Sequence, residues 1–183
     1  SLKICQDLGA QLHIVSNFGF NNALYSGLDK VANNAYVVRF GISAETDRKE
    51  ILESTENQVQ NIPEDLDTLV IPTGSGITAA GIINGVIKYN KRPKKILAVQ
   101  IAGFDRTKTI DNLLIEKYPY DCIEYDKFPY AKFLKIDVGN NTRLDPIYES
   151  KAFHYLQENV TVMDKQVLFW IVGNSNVATH VID

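Results

Sequence analysis

The chain has 183 residues, 45% of them hydrophobic and 22% charged, with a formal net charge of −3. This length and apolar content suit one α/β domain over residues 1–183, the charge argues against a general nucleic-acid binder, and no stretch approaches the ~20 apolar residues of a membrane span. Cys5 and Cys122 form no CxxC pair, and His13, His154 and His180 show no ligand spacing, so free thiols in a reducing cytoplasm and no metal site are expected.

Strand and helix patterns alternate along the chain. Leu2, Ile4, Cys5 and Leu8 suggest a helix already under way that runs into Gly9-Ala10. Leu12 to Ser16 reads as a buried strand, Asn21 to Ala32 as a helix and Ala35 to Phe40 as a strand. Glu45 to Gln60 reads as a long polar helix with Ile51, Leu52 and Val59 facing inward, and Pro63 marks the following loop. A strand is expected over Thr68 to Thr73, then a helix from about Ile77 with Ile82, Ile83, Val86 and Ile87 on its apolar face. The basic cluster Lys88, Lys91, Arg92, Lys94 and Lys95 reads as a solvated loop complementing the end of that helix. Lys95 to Ile101 suits a parallel strand covered on both faces. Thr107 to Tyr118 reads as a helix, and Tyr118 to Asn141 as extended, irregular structure whose aromatics pack into the core. Asp145-Pro146 is a helix start, with Asp as cap and Pro at the first helical position. Val167 to Val172 closes the pattern as a buried strand. Alternating elements of this kind predict a mostly parallel sheet between two helical layers, with ligands at the carboxyl ends of the strands.

The run Thr73-Gly74-Ser75-Gly76-Ile77-Thr78 carries the clearest chemical signal. A glycine turn between a strand and a helix points successive amides into one concavity, and the helix start adds partial positive charge. The Ser75 and Thr78 hydroxyls supply further donors, so a phosphate is the expected guest. No lysine follows in the Walker position, and Ser75 lacks the flanking glycines of a nucleophile elbow. Gly74-x-Gly76-x-x-Ala79 fits the tolerant dinucleotide pattern, but the next strand ends without the acidic residue that a ribose requires. One phosphate monoester is the better match.

Thr73 to Gly81 resembles the phosphate loop of the pyridoxal-phosphate enzymes of the tryptophan synthase β-like fold. Leu144-Asp145-Pro146-Ile147-Tyr148-Glu149-Ser150-Lys151-Ala152 resembles a second motif of that family, nearest its D-cysteine desulfhydrase and aminocyclopropane-carboxylate deaminase branch, and Val167 to Gly173 resembles the branch's late strand. The resemblance implies a three-layer αβα fold and a β-elimination or deamination of a small amino acid. It implies that Thr73, Gly74, Ser75, Gly76 and Thr78 hold the cofactor phosphate, that Tyr148 faces the substrate and assists proton movement, and that Glu149 approaches the pyridine nitrogen. Proteins of this family tend to form homodimers.

The departures shape the expectation. The family's Schiff-base lysine lies in a segment that precedes the region matching Leu8, so the chain reads as the larger, C-terminal part of such a protein, with little or no turnover alone. A start at Ser1, inside a helical pattern with Met163 as the sole methionine, agrees with that reading. Ile77 replaces a common glycine, and Val172-Gly173-Asn174 stands where relatives carry Thr-Gly-Gly. These changes and the aromatic stretch after Tyr118 motivate the alternative of a non-catalytic scaffold or partner-binding protein that kept the fold, and the loop alone would also suit a generic phosphate-ligand binder. Lys151 does not match the cofactor lysine in its motif position and reads as a surface or positioning residue.

Overall fold

Strands β1 (Thr68–Thr73), β2 (Lys95–Gln100), β3 (Asp121–Glu124) and β4 (Val167–Phe169) form one sheet of order β3-β2-β1-β4. All three pairings are parallel, with Val70 beside both Leu97 and Phe169, and Ala98 beside Cys122. The coordinates are a computed structural model that describes residues 2–11, 45–101, 103, 105–139, 142–159 and 165–173. The expected strands Leu12 to Ser16 and Ala35 to Phe40 and the helix Asn21 to Ala32 lie outside the described residues. By contacts the chain divides into two units, Ser1–Arg48 with Ser175–Asp183, and Lys49–Asn174. The first contains helix α1 (Leu2–Asp7); the second holds the sheet and all that follows.

Period-2 alternation sorts the strand residues into two cores. Leu69, Ile71, Ile96 and Ala98 point to one face, where they meet Val59, Ile82, Ile83, Val86 and Ile110. These come from the 3-10 turn Val59–Asn61 that follows α2 (Glu45–Gln58), from α3 (Ile77–Lys88) and from α4 (Thr107–Asp111), and Leu52 of α2 packs against them. Val70, Leu97 and Val99 point to the other face and meet Ala152 and Leu156 of α5 (Glu149–Asn159), with Tyr125 beside them. The result is the expected three-layer α/β architecture.

The small residues of α3 let it approach α2 closely. A Cβ on Gly85 would lie 2.5 Å from Val59 Cγ2 and 2.8 Å from the Glu56 carbonyl oxygen, and one on Gly81 would lie 2.8 Å from Thr55 Cβ. The helix accepts the poor intrinsic propensity of two interior glycines because a larger residue would push α2 and the turn after it away from α3.

Several expectations need correction. The helix expected over Thr107 to Tyr118 ends at Asp111, because the buried Asn84 side chain donates to Leu113 O at 3.0 Å and accepts from Ile115 N at 3.0 Å. Those bonds hold the chain in a turn, and Pro119 prevents its resumption as a helix. The final strand stops at Phe169 and is only half-buried. The basic cluster is more than a solvated loop: Lys91 is buried, donates to Ile62 O and pairs with Glu64, while Lys88 pairs with Glu56 and Lys94 with Asp67. Of the aromatics after Tyr118, Tyr120, Tyr125 and Phe128 join the cores, but Tyr130 and Phe133 are exposed. Among the described residues no helix is long and apolar enough to cross a membrane.

Gly85→Ala should destabilise the protein by about 2 kcal/mol through overpacking against Val59 and Glu56. Urea unfolding measures this; an unchanged midpoint would show that the α2–α3 contact yields freely.

Candidate functional site

The crossovers through α3 and α4 step in one direction, β1 to β2 to β3, on one face of the sheet. The crossover through α5 returns on the other face and lays β4 on the far side of β1. The winding therefore reverses between β1 and β4, and open parallel sheets bind ligands in the crevice at such a point. The glycine turn follows β1, the Trp170-to-Gly173 segment follows β4, and the amino end of α5 lies at the same edge.

Gly76 is the cap of α3 and has φ +91°, a conformation that glycine adopts without strain. Ala80 N donates to Gly76 O at 2.9 Å and opens the helix, so the amides before it have no intrahelical acceptor. Ile77 N makes a long 3.5 Å contact with Ser75 Oγ, while the amides of Ser75, Gly76, Thr78 and Ala79 take no acceptor among the described residues. Ser75 is exposed and Thr78 half-buried. Thr73 differs: it is buried, and its hydroxyl donates to Ile71 O at 3.1 Å. The turn thus offers Ser75, Thr78 and a set of amides as donors, with Thr73 bonded into its own strand.

Two further groups close around the turn. Arg106 Nε donates to Gly74 O at 3.0 Å, and Arg106 N donates to Gln100 Oε1 at 2.9 Å. The Tyr148 ring lies against Gly74, where an added Cβ would come within 2.7 Å of Tyr148 Cε1. The Tyr148 and Tyr130 hydroxyls are 2.6 Å apart, with the rings edge-to-face at 5.8 Å. Burial, and then the hydrogen bond with Tyr130, push the Tyr148 phenol above the ordinary tyrosine range, so it is a neutral donor at physiological pH.

The helix expected to start at Pro146 begins instead at Glu149: Asp145 caps the turn that leads into α5, its Oδ1 accepting from Ile147 N and Tyr148 N at 2.9 Å each. Glu149 is 1% exposed and accepts from three backbone amides at 2.8 Å: Asp145 N on Oε2, and Val172 N and Gly173 N on Oε1. These bonds explain the early end of β4, since the amides that would extend it serve the carboxylate instead. Glu149, expected to approach a ring nitrogen, is placed here as a bracket between the start of α5 and the end of β4.

The structure brings Gly74, Gly76 and Tyr148 into one neighbourhood and places Glu149 beside it, turned into the backbone. Sequence reasoning missed Arg106 and Tyr130, whose only signals were a cation and an aromatic in loops. Of the two readings of Lys151, surface or positioning, its burial removes the first: Lys151 is 0% exposed.

The fold is the tryptophan synthase β-like one that the motifs implied. Within that class, the chain superimposes on a crystal structure of a protein described as an ACC deaminase homologue, with a TM-score of 0.69 and 18% sequence identity. The match covers 93% of this chain and 61% of that one, so this chain spans less than two thirds of its neighbour's length. No protein-family model and no curated protein sequence matches the chain.

Two outcomes follow. Glu149→Ala should lower stability by roughly 3 kcal/mol, because three buried amides lose their acceptor, and amide hydrogen exchange at Val172 and Gly173 should quicken. Tyr120, Tyr125 and Tyr148 all have folded-state pKa values raised above the ordinary value of 10.0, chiefly by burial. Their stabilising contribution is complete below pH ~10 and is lost as pH rises above it, where unfolded phenols ionise and folded ones do not. Urea midpoints should fall above pH ~10, and less steeply in Tyr148→Phe.

Proposed function

We propose that the chain forms the phosphate-anchored ligand site of a pyridoxal-phosphate-dependent lyase- or deaminase-like protein acting on a small amino acid. The observation that carries this reading is the glycine turn at the reversal of the sheet, where the amides of Ser75, Gly76, Thr78 and Ala79 take no acceptor among the described residues and the Tyr148 ring lies against Gly74. The fold shared with the ACC deaminase homologue supports it.

The residues fit the phosphate end of the cofactor. Ser75, Thr78 and the amides from Ser75 to Ala79 would bind the dianion, and the amino end of α3 would favour its charge. The Tyr148 hydroxyl would hold a proton at the ligand side of Gly74, shared with Tyr130. The ring end does not fit in this arrangement, since the Glu149 oxygens already accept from three amides. When bound, pyridoxal phosphate supplies an electron sink for carbanion chemistry. The engagement of Glu149 favours a second reading, a binder of phosphate ligands without ring chemistry.

Titrating the protein with pyridoxal phosphate, pyridoxal and inorganic phosphate tests both. Pyridoxal phosphate and phosphate should compete for one site, pyridoxal should bind at least tenfold more weakly, and Ser75→Glu should weaken pyridoxal phosphate binding at least tenfold by placing a carboxylate at the helix start. Equal binding of pyridoxal and its phosphate ester would sink the proposal. Phosphate binding with no preference for the cofactor would leave the second reading.

A further inference from the structure

Lys151 is explained neither by the phosphate site nor by helix capping. It is fully buried on α5, two residues after Glu149, yet no carboxylate bonds to it among the described residues. Its ammonium donates to Pro129 O at 2.9 Å and to Tyr130 O at 2.8 Å, and lies 5.7 Å from the centre of the Tyr130 ring. Burial pulls its pKa below the usual lysine value, against the favourable field of Asp145. An ammonium in such a place carries a desolvation penalty.

The two carbonyls belong to consecutive residues in the irregular stretch between β3 and α5. Fixing both of them fixes the two peptide planes that flank the Tyr130 Cα, and with them the direction in which the Tyr130 side chain leaves the backbone. Tyr130 itself is 49% exposed. Its hydroxyl nevertheless meets that of Tyr148 at 2.6 Å, and the Tyr148 ring lies against Gly74. A continuous line of contacts therefore joins the buried ammonium to the glycine turn.

We infer that Lys151 is a positioning residue that, by clamping the Pro129 and Tyr130 carbonyls, sets the Tyr130 hydroxyl against Tyr148 and so orients the phenol beside the glycine turn. The inference deepens the function proposed above and rests on it for the ligand. It also gives the lysine of this motif a role other than that of a nucleophile: its nitrogen is sealed from solvent and bonded to two carbonyls.

Carbon-13 NMR of protein labelled at tyrosine Cζ, with Tyr130 and Tyr148 assigned through Tyr130→Phe and Tyr148→Phe, reads the arrangement directly. Lys151→Met should shift both signals, lower the pH at which Tyr148 ionises, and weaken pyridoxal phosphate binding about fivefold, the equivalent of one hydrogen bond. Tyr130→Phe should produce the same fall in the Tyr148 midpoint, and Lys151→Met should add nothing in that background. A lysine with a merely structural role would lower the urea midpoint and leave the Tyr148 ionisation in place, which overturns the inference. Should Lys151→Met fail to fold, Tyr130→Phe decides alone, because it removes one exposed hydroxyl; an unmoved Tyr148 midpoint then overturns the route through Tyr130. If wild-type protein binds no pyridoxal phosphate while Lys151→Met still moves Tyr148, the ligand proposal falls and the positioning role stands.

Discussion

Glu149 accepts hydrogen bonds from the amide that precedes its own helix and from two amides beyond β4, and the placement of the groups at the carboxyl edge depends on that bracket. The carboxylate lies buried where the sheet reverses its winding. A buried carboxyl group in that position is tolerable because three hydrogen bonds replace its water, and removing them would expose its desolvation penalty. The bracket fixes the start of α5 relative to the end of β4. Tyr148, the residue before it, is thereby held on the side of the turn that follows β1.

Around this bracket the edge is built from close approaches. Gly74 lacks a Cβ because the Tyr148 ring occupies that space, and Gly76 takes a positive φ that lets α3 begin directly after the strand. Arg106 reaches from the start of α4 to the Gly74 carbonyl, so the turn is bonded from one side and covered by an aromatic from another. Farther down α3, Gly81 and Gly85 admit α2 and the turn after it into close contact with α3. Glycines thus act at two levels, shaping the ligand turn and setting the depth of the helical layer behind it.

The buried polar groups divide by role. Asn84, Lys151 and Glu149 each bond to backbone rather than to a charged partner, and each holds a stretch that regular secondary structure does not reach. Asn84 shapes the turn after α4, Lys151 fixes the stretch before α5, and Glu149 gathers the stretch after β4. Tyr125 works differently, with its hydroxyl 2.8 Å from His154 Nδ1 and 2.9 Å from Glu158 Oε2 on the outer turns of α5.

The sequence by itself determined the central β1–turn–α3–β2 unit, nearly to the residue, and the capping role of Asp145, though in the turn that precedes α5. Those elements rest on local rules: apolar runs with period 2 or 3.6, glycine where the backbone needs a positive φ, and Pro or Asp at a helix start. The same pattern made the three-layer class legible, because alternating elements have few ways to bury their apolar faces. Tertiary structure alone decided where the later elements end and which polar side chains build the edge. The helix after Thr107 is cut short by an asparagine 29 residues upstream of the carbonyl it captures, and β4 is cut short by a carboxylate 23 residues before the first amide it takes. Lys151 and Tyr130 meet across 21 residues of chain, and Arg106 meets Gly74 across 32. No local propensity encodes such partners. They exist because folding brings buried donors and acceptors together, and each must find a mate once water is excluded.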